Sequence, residues 1–295
     1  MVADRLFDRR VKVTVLSTTE PLFLDSYDIK AEPHANGIVI EDMRVEFEIE
    51  HNLKRHPNSC RIKITNLSEE TRSAFKKPHL RCILEAGYVG GLATIFTGDV
   101  TWCMSTLNGA DWETAIELGD GDRVLNNARV NKSYAHGVKQ ISILEDAFKA
   151  VGQQVPDNIK KNPIFQKVVQ GGVALFGKHK DVIDTFLKPH GMTMSIQDNQ
   201  PVIVSEEETV GQTYTLSEEN GMIGSPEFGK PSKKGKAPDV TIRSLLYPEI
   251  RPGHPVNVIS RDLKGVFKVK NVKHRGDTHG QDWLTEVEIK PIGKK

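Results

Sequence analysis

The stretch HRGDTHGQDW, from His274 to Trp283, combines two histidines, two aspartates and an Arg-Gly-Asp triplet. Residues of these types could ligate a metal, form a catalytic dyad, present an integrin-recognition motif or build the tip of a β-hairpin. A zinc site needs several converging ligands, and His274 and His279 alone supply at most two. Integrin recognition does not suit a chain that we expect to remain unexported.

The residues on either side of this stretch favour the hairpin. Phe267 and Val269 alternate with polar residues before it, and the alternation resumes at Trp283. Gly and Asp are common between strands because they tolerate turn geometry. We therefore predict a metal-free hairpin connection in which Gly276 and Gly280 matter more than either histidine.

Other motifs for catalysis or ligand binding are weak. Asp-Trp pairs at 111–112 and 282–283 could supply paired acids, but each tryptophan begins an alternating strand, which favours packing in the core. The calcium-like run GDGDRVLNN has Val124 where an oxygen ligand is needed. No nucleophile elbow, zinc-protease motif or phosphate-binding loop occurs. The sequence thus predicts no catalytic, cofactor-binding or metal-binding residues, and no cofactor.

The three cysteines are Cys60, Cys82 and Cys103, and each lies in strand-like sequence. They form no C-x-x-C pair, and their odd number does not fit a disulfide framework. We predict buried free thiols that only pack.

Composition excludes some classes of partner. The 295 residues carry 40 basic and 39 acidic side chains, so bulk charge gives no attraction to nucleic acid or anionic membranes. The longest apolar run, 168–176, is too short for a membrane span, and MVADRLFDRR lacks the apolar core of a signal peptide. A lysine cluster adjoins only Phe228 among the aromatic residues, so specific nucleic-acid binding is not favoured; its members are Lys230, Lys233, Lys234 and Lys236.

The periodicity of apolar residues divides the chain. Alternation with period two fills the first third, for example in 43–49, 60–64 and 112–118, with one short helix near 68–75. From about residue 137, helical spacing predicts two helices followed by a strand, a turn and a strand. Alternation resumes at Tyr214, interrupted by a basic, Gly- and Pro-rich segment, 229–238, that we expect to be a flexible loop. The predicted fold is mainly β with an α+β insert, divided into 1–135, 136–210 and 211–295.

The order of several segments resembles the tail hub proteins of tailed bacteriophages and related contractile injection machines. RIKITNLSEETRSAF (61–75), LEAGY (84–88), IFTGDV (95–100) and TAIELGDGD (114–122) resemble the first barrel of that family. LSEENGMIGSP (216–226), SLLYPEIRPGHPVNV (244–258) and HRGDTHGQDW resemble its second barrel. The resemblance covers nearly the whole chain.

This resemblance implies a structural protein of the virion, made in the host bacterial cytoplasm and located in the tail baseplate. Two tail-tube-like antiparallel β-barrels in each chain would flank the insert. A homotrimer would then present six barrels and join a sixfold tail tube, or its initiator protein, to a threefold central spike. Tape-measure and baseplate wedge proteins are further expected partners. The alternatives are a hub that also cleaves peptidoglycan, although the middle unit lacks paired catalytic acids, and more remotely an oligonucleotide-binding multibarrel protein.

Overall fold

A computed structural model describes residues 8–17, 37–53, 58–77, 80–120, 129–198, 200–205, 207–229 and 239–292. Antiparallel strands dominate these residues, and the helices are concentrated between two β-rich regions. The prediction of a mainly β chain with an α+β insert is thereby confirmed. The proposed flexible loop lies outside the described residues apart from Gly229, as does the calcium-like run beyond Asp120.

The first β region contains one short helix and seven strands among the described residues. Ser68 caps the helix by accepting a hydrogen bond from the Thr71 backbone N–H at 3.1 Å. Alternating apolar residues on the strands face one core, which includes Val13, Ile49 and Ile62. The elements are β1 (Arg9–Ser17), β2 (Gly37–Ile40), β3 (Val45–Asn52), β4 (Ser59–Thr65), α1 (Glu69–Ala74), β5 (Leu80–Tyr88), β6 (Gly91–Asn108) and β7 (Asp111–Gly119).

The insert packs three helices and two small sheets around its own apolar residues. Leu144 and Phe148 share a core with Ile183 and Leu187 from a second helix, and Gly191 follows that helix with φ of 64°. Within the described chain, no helix has the length and apolar character needed to cross a membrane. The elements are β8 (Arg129–Tyr134), α2 (Gln140–Lys149), α3 (Asp157–Lys160), β9 (Val173–Lys178), α4 (His179–Leu187), β10 (Met192–Gln197) and β11 (Gln200–Ser205).

The second β region has a core of its own, which includes Ile242, Val258, Val272 and Val287. A 3-10 turn at Glu218–Asn220 joins its first two strands. The elements are β12 (Tyr214–Ser217), β13 (Met222–Phe228), β14 (Val240–Leu245), β15 (Pro255–Ile259), β16 (Lys264–Asp277) and β17 (Trp283–Pro291).

Strand β16 joins the two β regions into one sheet. Along one side it pairs with β17; along the other, Lys264–Lys268 pairs with β15 and Asn271–Asp277 pairs with β3. Among the described residues the strand order is β13-β14-β17-β16-β3-β4-β7-β6-β5-β1-β2, and β12 lies parallel to β15 beyond β16. This path has open ends at β2 and β13, so the arrangement as two barrels stays a prediction.

Five strands of the first region recur in the second with the same pairing. The orders β3-β4-β7-β6-β5 and β13-β14-β17-β16-β15 match strand for strand, and all these pairs are antiparallel. A register shift after Val100 of β6 corresponds to one after Val269 of β16. Counting from these shifts along the two hairpins places Trp112 and Trp283 at equivalent positions. We call these two five-strand units the first and second repeat.

Candidate functional site

The stretch HRGDTHGQDW forms the end of β16, a tight turn and the first residue of β17. The predicted hairpin is present, but its tip is confined to 278–282. The prediction that the connection begins at His274 is wrong, because His274 to Gly276 form strand pairs on both sides and Asp277 still pairs with β3. These residues continue the ladder because β3 of the first repeat supplies a partner for them.

Charged side chains reinforce the pairing of β16 with β3. Arg275 contacts Glu48 at 3.0 Å, and Arg44, beside β3, contacts Asp277 at 2.9 Å. Partial burial acts to raise the pKa of Asp277, but hydrogen bonds from the His279 backbone and from Arg44 lower it overall. The Arg-Gly-Asp triplet thus contributes its two charged residues to this joint. We call the β3–β16 contact, with the hairpin tip, the joint.

Residues of the first region also hold the hairpin tip. The Arg9 guanidinium donates to the carbonyl oxygens of Asp277 at 2.8 Å and Gly280 at 2.6 Å. The Val45 N–H donates to Thr278 Oγ1 at 3.0 Å, and the Thr278 N–H donates to the Val45 carbonyl at 3.1 Å. These bonds satisfy backbone groups that a free hairpin would leave to water.

Trp283 fills the space behind the joint. Its side chain is buried, 5.6 Å from the ring of Phe47 and 6.3 Å from the ring of Tyr88, both approached edge to face. A Cβ atom at Gly276 would lie 2.3 Å from the Phe47 ring, so only glycine fits between these aromatics. The prediction that Trp283 packs in the core is confirmed.

His274 and His279 do not come together as ligands. His279 lies exposed at the tip, whereas His274 is fully buried, with Nδ1 3.0 Å from Thr285 Oγ1. The ring centroid of buried His51 lies 5.8 Å from that of His274. Burial lowers the pKa of His51 to about 4 and that of His274 well below its usual value, and Arg251 adds to both effects. Among the described residues, no group of three potential ligands forms a metal site.

Arg251 connects all three parts of the chain. Its Nε donates to Asp198 in the β10–β11 hairpin of the insert at 2.8 Å. Its Nη2 donates to the carbonyl oxygens of Thr94 and Ile95 on β6 at 3.0 and 3.1 Å, and Nη1 donates to Pro248 in its own region. Sequence reasoning missed this residue, because nothing in RPGH distinguishes a buried arginine from an exposed one.

The insert is also attached on both sides by polar contacts. Asn58 of the first region donates to the Ile196 carbonyl at 2.7 Å, and Gln197 donates to the Asn52 carbonyl at 3.0 Å. On the other side, Lys268 of β16 is buried and donates to two carbonyl oxygens near the end of the insert, those of Ser205 and Glu208, both at 2.5 Å. Buried polar groups of this kind stabilise one arrangement because leaving them unpaired costs free energy.

The β6–β7 hairpin of the first repeat has a different environment. Trp112 is 37% exposed, so the prediction that it packs in the core is wrong. Its ring stacks instead under Arg72 of α1, with the guanidinium carbon 3.9 Å from the ring centroid. Beyond Asp99, no strand among the described residues pairs with the side of β6 that faces away from β7. Exposed apolar side chains line this hairpin, namely Trp102, Met104 and Leu107.

The two Asp-Trp pairs lie at the tips of different hairpins, so they do not form a pair of facing acids. The cysteines are free thiols. Cys60 and Cys82 are buried as predicted, and burial raises the pKa of Cys82 to about 12. The prediction of a buried thiol is wrong for Cys103, which is only half-buried on the part of β6 that pairs with β7 alone.

Comparison with known proteins supports the resemblance through the fold. The 43 kDa tail protein of prophage MuSo2 from Shewanella oneidensis superposes with a TM-score of 0.60 and 10% identity, over 95% of this chain and 96% of that one. The c3393 protein of E. coli, a type VI secretion component similar to T4 tail proteins, superposes with a TM-score of 0.55 and 12% identity, over 86% of this chain and 74% of that one. A chain of the Francisella PdpA–VgrG complex superposes with a TM-score of 0.60 and 8% identity, over 98% of this chain and 53% of that one.

No protein-family model matches the sequence, and no curated protein matches it. The structural neighbours are nevertheless phage tail proteins and related injection-machine components, and the chain has their fold. The resemblance drawn from the sequence is confirmed at this level.

Proposed function

We propose that this chain is a structural hub of a phage-type tail baseplate, which forms a threefold ring with pseudo-sixfold symmetry. The observation that carries the proposal is the internal repeat: one chain contains two five-strand units with the same order and the same register shift. Three such chains present six similar units. The fold that the chain shares with a phage tail protein supports a role in a tail.

The joint supports the mechanism because it fixes the two repeats relative to each other. Strand pairing, the ion pairs of Arg275 and Asp277, and the bonds from Arg251 all act between the repeats or between them and the insert. A rigid double unit can meet a sixfold tube on one face and a threefold spike on the other. In this proposal each chain is divided into two barrel-like units, 1–135 and 211–295, with 136–210 between them, except that β8 pairs with β9 and so belongs with the insert.

The proposed partners are further copies of the chain, the tail tube or its initiator, and the central spike, with tape-measure and wedge proteins as additional contacts. The proposed location is the virion baseplate, after synthesis in the host cytoplasm. The proposed role is not enzymatic. In the groove beside the joint, Glu46, Glu48 and Asp277 each contact a lysine or an arginine, so nothing there favours the peptidoglycan-cleaving alternative.

The test is the mass of the purified protein in solution, followed by a symmetry-averaged image of the assembly or the particle. A closed trimer with six similar lobes is expected. A chain that remains monomeric at high concentration and in the particle, or a hexamer of single chains, would contradict the proposal.

A further inference from the structure

Two strand edges on opposite repeats lack a partner among the described residues. One is the outer edge of β13, at the end of the strand path. The other is the side of β6 from Val100 to Asn108, beyond the end of its pairing with β5. We call these the β13 edge and the β6 edge. Unpaired edges of this kind present backbone N–H and C=O groups to any strand that fits them.

The internal repeat relates both edges to the joint. By strand order β13 is the equivalent of β3, and β6 is the equivalent of β16. Within the chain, β3 pairs antiparallel with the part of β16 that follows the register shift at Val269. The β6 edge is the part of β6 that follows the equivalent shift at Val100.

We propose that the β13 edge of one copy pairs antiparallel with the β6 edge of the next copy, reproducing the joint between chains. The inference rests on the proposed function and deepens it by naming the surfaces that meet. Transfer of the β3–β16 register places Thr106 opposite Glu227 and Ser105 opposite Phe228, as Arg275 and His274 lie opposite Glu48 and Ile49.

The irregularity of β13 sets the extent of this pairing. Between Ile223 and Glu227 the register of β13 with β14 shifts, so pairs form on either side of this segment rather than through it. Pro226 lies within the segment and has no N–H to donate, as is usual for proline on an edge strand. On the far side of the shift, the transferred register places Asn108 opposite Ile223.

The side chains near both edges fit a second copy better than solvent. Trp102, Met104 and Leu107 on the first repeat, and Ile223 and Phe228 on the second, are all exposed large apolar residues. Clusters of exposed apolar side chains at an unpaired edge indicate an interface. The equivalent region of the joint is covered by β3, and Trp283 there is buried.

The geometry of this contact has a consequence for assembly. Two different surfaces meet, so the contact is head to tail, and such contacts close into a ring when the rotation permits. Suppose that the contact between chains relates two repeats by the same rotation as the joint does within a chain. Contacts within chains then alternate with contacts between chains around the ring. Three chains with six repeats then give the threefold ring.

Disulfide cross-linking tests the register. In a Cys103→Ser background, the full chain would carry Thr106→Cys and Glu227→Cys, both at exposed positions. Directly opposed residues of antiparallel strands have Cα atoms about 4.5–5.5 Å apart, which suits a disulfide. Oxidation should yield covalently closed trimers, and a mixture of the two single variants should yield only dimers.

Two matched controls define the result. Glu48→Cys with Arg275→Cys, the equivalent pair of the joint, should cross-link within one chain without a change in mass. Ser105→Cys with Glu227→Cys shifts the register by one residue and places the thiols on opposite faces, so it should give at most about a tenth of the product.

The outcomes separate this inference from the proposed function. A trimer that forms in solution without the 106–227 disulfide, while the control pair of the joint oxidises, overturns the pairing and leaves the hub proposal standing. Cross-linked ladders longer than three chains support the pairing and contradict the threefold ring. A chain that stays monomeric and does not cross-link contradicts both.

Discussion

The hairpins β6–β7 and β16–β17 carry the same dipeptide, Asp-Trp, where their second strands start, at equivalent positions of the two repeats. Trp283 is 3% exposed and Trp112 is 37% exposed. Both lie near an arginine: the guanidinium carbon of Arg9 is 5.5 Å from the Trp283 ring centroid, and that of Arg72 is 3.9 Å from the Trp112 ring centroid. They differ in the strand edge beside them: β3 covers this edge in the β16–β17 hairpin, whereas no described strand covers it in the β6–β7 hairpin. Burial at this position is therefore decided by pairing between repeats rather than by the local pattern.

Other equivalent positions of β16 and β6 show the same difference in burial. Gly276, which leaves room for Phe47, corresponds to exposed Leu107. Buried Val272 corresponds to half-buried Cys103. The joint is rich in ion pairs, whereas the β6 edge carries apolar side chains. One strand arrangement thus supports a permanent contact within the chain and, in our proposal, a contact made on assembly.

The largest contrast is expected on truncation of the two tryptophans. Trp283→Ala removes a buried aromatic ring and should lower the free energy of unfolding by about 3–5 kcal/mol. Trp112→Ala removes a half-exposed ring and should cost less than about 1 kcal/mol, but it should weaken trimer formation. Denaturant unfolding at a concentration where the chain is monomeric, with the mass in solution as second readout, checks both. Equal losses of stability would remove the distinction between the hairpins.

Exchanging the small and large residues opposite the tryptophans gives a second contrast. Gly276→Leu introduces into the joint the residue type found at 107, and its Cβ alone meets the Phe47 ring, so we expect a loss of about 1–3 kcal/mol. Leu107→Gly removes an exposed side chain and should change the stability of the monomer little. His279→Ala, at the exposed tip, is the matched control and should be neutral in thermal unfolding. If the histidine variant were more damaging than Gly276→Leu, packing around Gly276 would not be what stabilises this hairpin.

Acid should weaken the joint more than the open hairpin. His51 and His274 are buried and neutral, with folded-state pKa values below the ordinary value of about 6.5. Below about pH 6.5 the unfolded chain therefore binds more protons than the folded chain. The free energy of unfolding is thus highest above this pH and falls as the pH drops below it. Each histidine contributes roughly 1.4 kcal/mol per pH unit at most between pH 6.5 and its folded pKa.

The variant His274→Ser tests whether buried His274 contributes to this loss of stability in acid. Serine is chosen because Ser105 occupies the equivalent position of the first repeat. The variant should be less stable than the natural chain at pH 7.5 but lose less stability on acidification to pH 5. Unfolding free energies at both pH values give the slope. His179 and His254, whose pKa values burial lowers to about 4, are present in both proteins, so their contribution cancels in the comparison. Identical slopes would show that His274 titrates normally.

Sequence patterns predicted several strands of the two β regions, the short helix capped by Ser68, two helices of the insert and the hairpin β16–β17, because each follows from local periodicity and turn residues. They did not predict β8, β9 or the short helix Asp157–Lys160. They predicted Trp283 correctly and Trp112 wrongly from the same pattern, since the difference depends on a partner strand far away in the sequence. Arg251 and His274 could not be identified for the same reason. Their burial results from the meeting of three parts of the chain, and no local signal precedes it.

The smallest effect, and the one most specific to the open edge, concerns the cysteines. Burial raises the pKa of all three thiols, and Cys60 and Cys82 are fully enclosed, so alkylation of those two requires unfolding. Cys103 is half-buried beside the β6 edge and should react slowly but measurably in the folded monomer. Val272, its equivalent in the joint, is buried in the core of the second repeat and paired with β3, so pairing with a β13 strand from the next copy should likewise protect Cys103. Mass spectrometry of iodoacetamide-treated protein, as monomer and as assembled ring, gives the modified fraction at each site. Protection of Cys103 on assembly, with Cys60 and Cys82 unmodified in both states, is expected; reaction at the same rate in monomer and ring would mean that assembly leaves this edge uncovered.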